Sequence, residues 1–356
     1  MMLLRLLKVL DQKKYEISLI TLKSGGALEK EFEDLEISLI SADMNSVLGT
    51  VKGISRVKSI LYKIQPDIVF CWMYHANLIG GLAAKGCGIK KIYWNIRNSG
   101  LKLMWKIPIT SAVIKAGALL SGWIPDLIIV NSNPARDNHI RMGYEKTKMR
   151  VIHNGIDTNV FQPNPEARRI IRKELNALSS AALVGMAARF HPQKDHKTLM
   201  EAAYLINDKM PDVQFVLCGT GIDSSNKELA AWIKEFGLEK NISLLGERRD
   251  MPQIMGAMDL MMLSSAYGES FPNVIAEAMS CEIPCVATDV GDSALIIGET
   301  GSTVPPMNPQ ALAEAVVKLL TNDAKRINLG KKARMRIQKE FSIGMISEEY
   351  EELFTN

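Results

Sequence analysis

Short apolar runs that read as β-strands alternate with helical patterns along almost the whole of this 356-residue chain. A first series of strands is predicted at residues 17–21, 37–40, 67–71, 91–94, 127–130 and 150–152. A second series is predicted at residues 183–187, 214–218, 242–244, 260–263, 285–288 and 303–304. Strands that alternate with helices build parallel sheets covered by helices. The alternation therefore predicts an α/β chain of doubly wound architecture.

A turn-rich segment separates the two series of strands. It contains His153-Asn-Gly-Ile-Asp157 and Phe161-Gln-Pro-Asn-Pro165, unlike the periodic patterns on either side. A chain of this length suits two domains of about 100–200 residues each. We predict domains at residues 1–152 and 166–340, a linker at 153–165 and a final helix at 341–356. Two such domains would face each other across a cleft, with the carboxyl ends of both sheets lining it.

Composition narrows the class of protein. The chain is 47% hydrophobic and 23% charged with a formal net charge of +4, which is typical of a globular protein without the basic stripe of nucleic-acid binders. Five cysteines, an odd number, favour reduced thiols and a cytoplasmic location. No apolar run approaches the roughly 18 residues of a membrane span. The first ten residues predict an amphipathic helix rather than a signal peptide.

Residues 268–277 carry the most specific chemistry. The segment predicts a loop with Glu269, a helix opened by Phe271-Pro272, and Glu277 inside that helix. Free N–H groups at a helix start attract an anionic phosphate. Carboxylates beside such a seat would repel phosphate but accept hydrogen bonds from sugar and ribose hydroxyls. The segment therefore predicts a nucleotide-sugar site. The alternative is that Glu277 is a solvated residue on a surface helix.

Glu269 and Glu277 also match the E-x7-E signature, and the segment resembles retaining GT-B glycosyltransferases, in particular glycosyltransferase family 4. This chain departs from the family pattern at Ser270, Glu282 and Cys285, and both carboxylates are kept. The linker also resembles that family's linker. The resemblance implies two Rossmann-like domains facing a cleft, with the final helix at 341–356 crossing back to the first domain. It implies a glycosyltransferase of the hexosyltransferase type.

The resemblance assigns roles to residues of the second domain. Arg189 and Lys194 follow the first strand there and would clamp the donor diphosphate, since two fixed cations stabilise a departing diphosphate. The alternative is that both are solvated loop cations. Catalytic roles fall on Glu269, Arg189 and Lys194. Donor-binding roles fall on Glu277, Gly219, Gly221, Ser270, Phe271, Pro272, Asn273 and Arg248.

Evidence for the first domain's site is thinner. His75 follows the strand at 67–71, and the family often has a histidine in this loop, near the acceptor. Arg97 stands where the family usually has an active-site histidine. A guanidinium does not act as a base near neutral pH, but Arg97 could bind donor phosphate or an anionic acceptor. Both residues are acceptor-side candidates, and a packing role is the alternative for His75.

No Asp-x-Asp pair follows a strand, so we expect no metal and no other cofactor. The resemblance implies a UDP-sugar as donor, with a GDP-sugar next, and a saccharide or lipid-linked saccharide as acceptor. No nucleic acid is expected. A peripheral location on an anionic membrane surface is a further hypothesis, with packing within the domain as its alternative. The residues of that surface would be Lys102, Met104, Trp105, Lys106, Ile107, Ile109, Val113, Lys115, Leu119 and Trp123.

One piece of the pattern is missing. Doubly wound sugar transferases begin with a buried strand and a Gly-rich loop, whereas this chain begins in the helix that would follow them. We therefore expect the first domain to lack its first strand, through a truncated start. A catalytically impaired remnant that serves as a nucleotide-binding or interaction module stays an alternative. A dehydrogenase is excluded because no G-x-G-x-x-G loop follows the first strand, and a secreted solute-binding protein would not explain Glu269 with Glu277.

Overall fold

The computed structural model describes residues 2–26, 28–35, 37–44, 47–98, 108–177 and 181–355. The chain divides into two compact units. Unit 1 contains residues 1–155 together with 343–356, and unit 2 contains residues 156–342. The first crossing between the units lies inside the predicted linker 153–165. The second crossing places the C-terminal helix in the same unit as the N-terminal residues.

The elements follow one another as the alternation predicts. Up to the linker they are α1 Met2–Val9, β1 Ser18–Thr21, α2 Glu29–Glu33, β2 Ser38–Ser41, α3 Val47–Ile64, β3 Ile68–Trp72, α4 Tyr74–Gly86, β4 Lys91–Ile96, α5 Pro108–Leu120, β5 Leu127–Val130, α6 Asn133–Arg141 and β6 Met149–Val151. The remainder are α7 Pro165–Glu174, β7 Leu183–Ala187, α8 His196–Lys209, β8 Gln214–Cys218, α9 Lys227–Glu235, β9 Ile242–Leu244, α10 Met251–Ala257, β10 Leu260–Leu263, α11 Asn273–Ser280, β11 Cys285–Thr288, α12 Ser293–Ile297, β12 Ser302–Val304, α13 Pro309–Leu320, α14 Asp323–Glu340 and α15 Ile343–Thr355.

Unit 2 is built on one parallel sheet of six strands in the order β12-β11-β10-β7-β8-β9. Strands β7, β8, β9, β10 and β11 begin and end at the predicted residues. Four of them, β7, β8, β10 and β11, are almost wholly buried apolar runs. The strand order reverses direction between β7 and β10. Ligands of open α/β sheets bind outside the carboxyl ends of the strands at such a reversal.

Unit 1 differs from a single doubly wound sheet. Strands β3-β4-β5-β6 form one parallel sheet, and β1 and β2 form a separate parallel pair. Within the described residues no strand joins β1 to β3, so the sheet is divided where the sequence pattern lacks a strand. The final helix packs in this unit, where the Tyr93 hydroxyl donates to the Leu353 carbonyl at 3.0 Å. Tyr350 of α15 is fully buried.

One strand of unit 1 extends well beyond its predicted end. Strand β4 continues past residue 94 to Ile96, because Asn95 and Ile96 pair with Ile129 and Val130 of β5. Arg97 therefore stands directly at the carboxyl end of a strand. The predicted N-terminal helix is present as α1, and its apolar stripe is buried. The five cysteines form no disulfide, and burial raises the pKa of the Cys71 thiol to about 12.

At the amino edge of the unit 2 sheet, Asp259 connects helix α7 to strand β7. Its carboxylate accepts from the Leu183 backbone N–H at 2.8 Å, from Arg172 at 3.0 Å and from Arg168 at 2.5 Å. Burial opposes ionisation, but the N–H donor and the two guanidinium charges hold the pKa of Asp259 below its ordinary value. This carboxylate compensates two arginines that would otherwise be largely buried cations.

We expect Asp259→Asn to lower the free energy of unfolding of unit 2 by about 3–5 kcal/mol, because the partners of a buried charge lose their counter-ion. A depressed folded-state pKa contributes stability above the ordinary Asp pKa of about 4 and loses it as pH falls through the folded value. The difference between wild type and variant should therefore shrink below about pH 4. Urea unfolding across pH 3–8 measures it. A difference that stays constant with pH would contradict this account.

Candidate active site

A buried ion pair lies at the carboxyl edge of the unit 2 sheet. Lys194 Nζ stands 2.5 Å from Glu269 Oε1, and the side chains are 14% and 8% exposed. The Ser265 hydroxyl donates to the same carboxylate oxygen at 2.6 Å. Lys194 comes from the loop after β7, and the other two residues come from the loop after β10. The pair therefore sits at the reversal of strand order.

Hydroxyl groups hold the two loops together. The Ser264 hydroxyl donates to the carbonyl oxygens of Lys194 at 2.8 Å and Asp195 at 3.0 Å. The Thr288 hydroxyl donates to the Ser265 carbonyl at 2.6 Å. Sequence analysis missed these three hydroxyl residues. The available signal was the Ser-Ser pair directly after the apolar strand β10, since polar residues at the carboxyl end of a buried parallel strand face the ligand edge.

Arg189 lies on the same loop as Lys194 and is exposed. Its contact is a long hydrogen bond of 3.5 Å from Nη2 to Gln193 Oε1, and among the described residues no carboxylate pairs with it. Burial, together with the nearby Lys194 charge, lowers the pKa of His196 to about 4, so that imidazole is neutral at pH 7. Because Glu269 compensates Lys194, Arg189 carries the uncompensated positive charge of this loop.

Helix α11 begins at Asn273, one residue after Pro272. The sequence analysis placed Pro272 in the first helical turn, but it occupies the capping position before the helix, with an extended ψ of 92°. Phe271 is buried and meets Phe341 edge-on, with ring centroids 5.4 Å apart. The Ser270 carbonyl accepts from the Asp292 N–H at 2.9 Å. These contacts fix the direction in which the chain enters α11.

Glu277 is 8% exposed, so the interpretation of this residue as a solvated surface glutamate is wrong. Both carboxylates of the signature are therefore buried in unit 2. Gly291 stands against the loop that carries Glu269. A Cβ there would lie 2.7 Å from the Ser270 carbonyl oxygen and 2.8 Å from the Glu269 carbonyl carbon, and the residue has a φ of +68°. Glycine is required at this position.

The predicted glycine turn lies against the Arg189 loop. Gly219 has a φ of +142°, and a Cβ there would lie 2.2 Å from the Ala188 carbonyl oxygen. Its N–H donates to the Gly246 carbonyl at 2.7 Å. Gly221 has a φ of +75° and packs close to Phe190. The backbone therefore approaches the site loop more closely than a residue with a side chain would allow.

Arg248 has a different environment from the one predicted. Its guanidinium pairs with Glu174 at 2.6 Å and with Asp250 at 2.7 Å. Hydrogen bonds to the two carboxylates raise the pKa of Arg248 above its ordinary value. The charge of this side chain is therefore paired with two carboxylates of unit 2, and its donor-binding role stays a prediction.

The acceptor-side candidates both lie at the carboxyl edge of the four-stranded sheet in unit 1. His75 is exposed in the first turn of α4, directly after β3. Arg97 is partly buried after β4, and its Nε donates to Asn95 Oδ1 at 2.7 Å. Its other two nitrogens donate to Asn154 Oδ1 and to the Tyr350 hydroxyl.

Two features of the described residues concern metal ions and membranes. Among the described residues, no three His, Cys, Asp or Glu side chains lie close enough together to hold a metal ion. Metal-independent chemistry stays a prediction. Of the helices that the structure describes, none combines the length and apolarity needed to cross a bilayer.

Comparison with known proteins follows the division into two units. A family model described as "Glycosyltransferase Family 4" matches residues 1–160, and one described as "Glycosyl transferases group 1" matches residues 181–322. The crystal structure of Anabaena Alr3699/HepE in complex with UDP superposes with a TM-score of 0.85 at 22% identity, covering 99% of this chain and 95% of that one. The fold is GT-B, with two Rossmann-like units.

The relatives found by sequence similarity are glycosyltransferases as well. The chain is 25% identical over 344 residues to the Escherichia coli UDP-Gal:alpha-D-GlcNAc-diphosphoundecaprenol alpha-1,3-galactosyltransferase, covering 94% of this chain and 88% of that relative. It is 31% identical over 221 residues to the D-inositol 3-phosphate glycosyltransferase of Corynebacterium urealyticum, and spans about half of that relative's length. The protein belongs to glycosyltransferase family 4, as the E-x7-E segment predicted.

Proposed function

We propose that this protein transfers a sugar from a UDP-sugar to an acceptor hydroxyl with retention of configuration and without a metal ion. The buried Lys194–Glu269 pair, with the uncompensated Arg189 beside it, carries the proposal. The bond between the anomeric carbon and the β-phosphate oxygen breaks, and the acceptor oxygen bonds to that carbon on the same face. The acceptor proton passes to the leaving phosphate oxygen, so charge and atoms balance.

The cations would act on the leaving group. Negative charge develops on the diphosphate as the sugar departs, and fixed positive charges at that point lower the barrier. Arg189 offers a planar fork, and Lys194 offers a point charge held in place by Glu269. The start of α11 adds the positive end of a helix dipole near the same loops.

The carboxylates would bind hydroxyls. Glu269, whose Oε1 accepts from Ser265 and Lys194, lies at the carboxyl edge of the sheet, where its carboxylate would accept from a hydroxyl of the transferred sugar. Glu277 would accept from the ribose hydroxyls. Hydrogen bonds to a charged acceptor in a buried position contribute about 1.5–3 kcal/mol.

The preference for UDP rests on relatives. Anabaena Alr3699/HepE was crystallised with UDP and with UDP-glucose, and the name of the E. coli relative begins with UDP-Gal. GDP-sugars are the second choice. The name of the same E. coli relative specifies a sugar on diphosphoundecaprenol as acceptor, which supports a saccharide or lipid-linked saccharide here and a place in surface polysaccharide or glycolipid assembly.

The proposed donor site should bind a nucleoside diphosphate. UDP should raise the melting temperature of the full chain more than GDP or ADP, because a ligand of the native state stabilises it in proportion to affinity. Glu277→Gln should weaken UDP binding by about 10–100-fold, the equivalent of the lost charged hydrogen bonds. Calorimetric titration with UDP measures the change.

Glu228→Gln is the matched control, since Glu228 is an exposed glutamate on α9 of the same unit. It should leave the UDP affinity unchanged. Equal affinities for wild type and Glu277→Gln would remove Glu277 from the donor site. Failure of folded wild type to bind any of the three nucleotides would support the impaired-remnant interpretation instead.

Measurements of turnover test the roles of Arg189 and Lys194 and the expected independence from metal ions. Release of UDP from a panel of UDP-sugars should proceed in EDTA at the rate seen without it. Lys194→Met and Arg189→Met should each lower kcat by about 10²–10³-fold, the cost of removing one transition-state donor. Arg189→Lys should retain part of the rate. Activity restored only by Mg²⁺ or Mn²⁺ would refute metal-independent transfer.

A peripheral membrane role belongs to the same proposal. Ile109 and Leu119 of α5 and Trp123 in the following turn are 74%, 86% and 58% exposed, and Lys115 between them is also exposed. Val113 of α5, a further predicted member, is partly buried and packs against the core of unit 1. The remaining predicted members, Lys102, Met104, Trp105, Lys106 and Ile107, lie outside the described residues. An apolar face beside a basic residue suits an anionic lipid surface.

The membrane hypothesis predicts that the protein floats with vesicles containing phosphatidylglycerol. Leu119→Ser with Trp123→Ser should reduce the bound fraction at least about tenfold, since each buried apolar side chain contributes about 1.5–3 kcal/mol. Ile327→Ser in unit 2, at a residue 55% exposed, is the control and should have no effect. Wild-type protein that stays at the bottom of the gradient would remove the hypothesis.

A further inference from the structure

The four-stranded sheet of unit 1 gathers polar side chains at its carboxyl edge. Trp72 ends β3, Arg97 follows β4, Asn131 follows β5 and Asn154 lies just after β6. Parallel strands place these positions at one edge. The edge is formed by unit 1 alone, and the donor chemistry described above uses residues of unit 2.

Arg97 is held there by neutral groups. Its three nitrogens donate to the amide oxygens of Asn95 and Asn154 and to the Tyr350 hydroxyl, and all three acceptor residues are buried. The guanidinium also lies over the Trp72 ring at 5.0 Å. Within the described residues, no carboxylate lies within ion-pair distance of this charge.

Other partly buried arginines of the chain are compensated. Arg172 pairs with Asp259, and Arg248 pairs with Glu174 and Asp250. Among the described residues no carboxylate pairs with Arg334, which donates to backbone carbonyls, including that of Ser280 at the end of α11, where the helix dipole is negative. Arg97 has neither kind of compensation. Burying a charge without an opposite charge is costly in free energy, so the surroundings of Arg97 favour the binding of an anion.

The Arg97 guanidinium has N–H groups that could bind such an anion. A guanidinium carries five N–H groups, and the hydrogen bonds at Arg97 use three of them, one on each nitrogen. One N–H remains on each terminal nitrogen. Phosphate oxygens are the usual partners of such paired donors. His153 stands near Arg97, and burial together with that charge lowers the pKa of its imidazole, so His153 adds no second charge at pH 7.

We propose that the carboxyl edge of the unit 1 sheet is an anion site, in which Arg97 binds the phosphate or diphosphate that carries the acceptor sugar. The assignment to the acceptor rests on the proposed function, in which Arg189 and Lys194 of unit 2 hold the donor diphosphate. Arg97 is a specificity-determining residue for an acceptor linked to phosphate, and a neutral saccharide acceptor would not engage it.

Inorganic pyrophosphate is the probe, titrated by calorimetry into the full chain with UDP at saturation so that the donor site is occupied. Wild type should bind pyrophosphate under these conditions. Arg97→Gln should weaken that binding at least about tenfold, and Arg97→Lys should weaken it less, because charge is kept and the fork is lost. Arg141→Gln, an exposed arginine of α6 in the same unit, should leave it unchanged.

The Tyr350→Phe variant distinguishes anion binding by Arg97 from a purely structural role of this residue. This variant removes one hydrogen bond to Arg97 but keeps the guanidinium, so it should lower the melting temperature and retain pyrophosphate binding. If Tyr350→Phe loses as much pyrophosphate affinity as Arg97→Gln, Arg97 acts through packing and the proposal fails.

A second titration distinguishes this proposal from the proposed function. The Arg189→Met/Lys194→Met double variant lacks the unit 2 cations and needs no UDP, and it should still bind pyrophosphate through Arg97. No binding by folded wild type with UDP, or equal binding by Arg97→Gln, overturns the anion site. Pyrophosphate binding that UDP abolishes would place Arg97 in the donor site and overturn the acceptor assignment. Failure of UDP to bind would instead affect the donor proposal alone.

Discussion

The candidate site of unit 2 depends on the ion pair between Lys194 and Glu269. The pair joins the loop after β7 to the loop after β10, the two strands between which the sheet order reverses. Two charges taken out of water are stable only when their remaining hydrogen-bonding capacity is met, and Ser265 contributes to that at the Glu269 carboxylate. The pair therefore fixes a cation at the ligand edge before any ligand arrives. Such preorganisation is the property that transition-state stabilisation requires.

At the amino edge of the same sheet, by contrast, the charges are paired with one another. Asp259 draws two arginines of α7 against the start of β10 and accepts from the first residue of β7. The arginines in turn donate to carbonyls at the end of α10, which satisfies groups that a helix end leaves unpaired. The amino edge is thus closed by internal ion pairs, whereas the carboxyl edge keeps Arg189 uncompensated. That contrast in charge separates a structural edge from a binding edge.

Much of the fold was predictable because parallel strands are buried on both faces. The strands β7, β8, β10 and β11 of unit 2 are buried apolar runs and were placed to the residue, as was the shorter β9. The end of β4 was missed because Asn95 is polar, yet it lies in the strand, fully buried, and pairs with Ile129. The hydroxyls of Ser264 and Thr288 were also missed. Short-range pattern does not reveal which backbone carbonyls, far away in sequence, a hydroxyl will meet.

By itself, the sequence determined the architecture and the chemical character of the site, because periodicity, turn residues and the spacing of Glu269 and Glu277 are local properties. Tertiary structure decided which charges are compensated. Lys194 and Arg248 are both cations in loops, and only their surroundings show that one is paired with a site carboxylate and the other with Glu174 and Asp250. The same holds for Arg97, whose neutral partners come from β4, the segment after β6 and α15. Electrostatic compensation depends on distance in space, which folding alone sets.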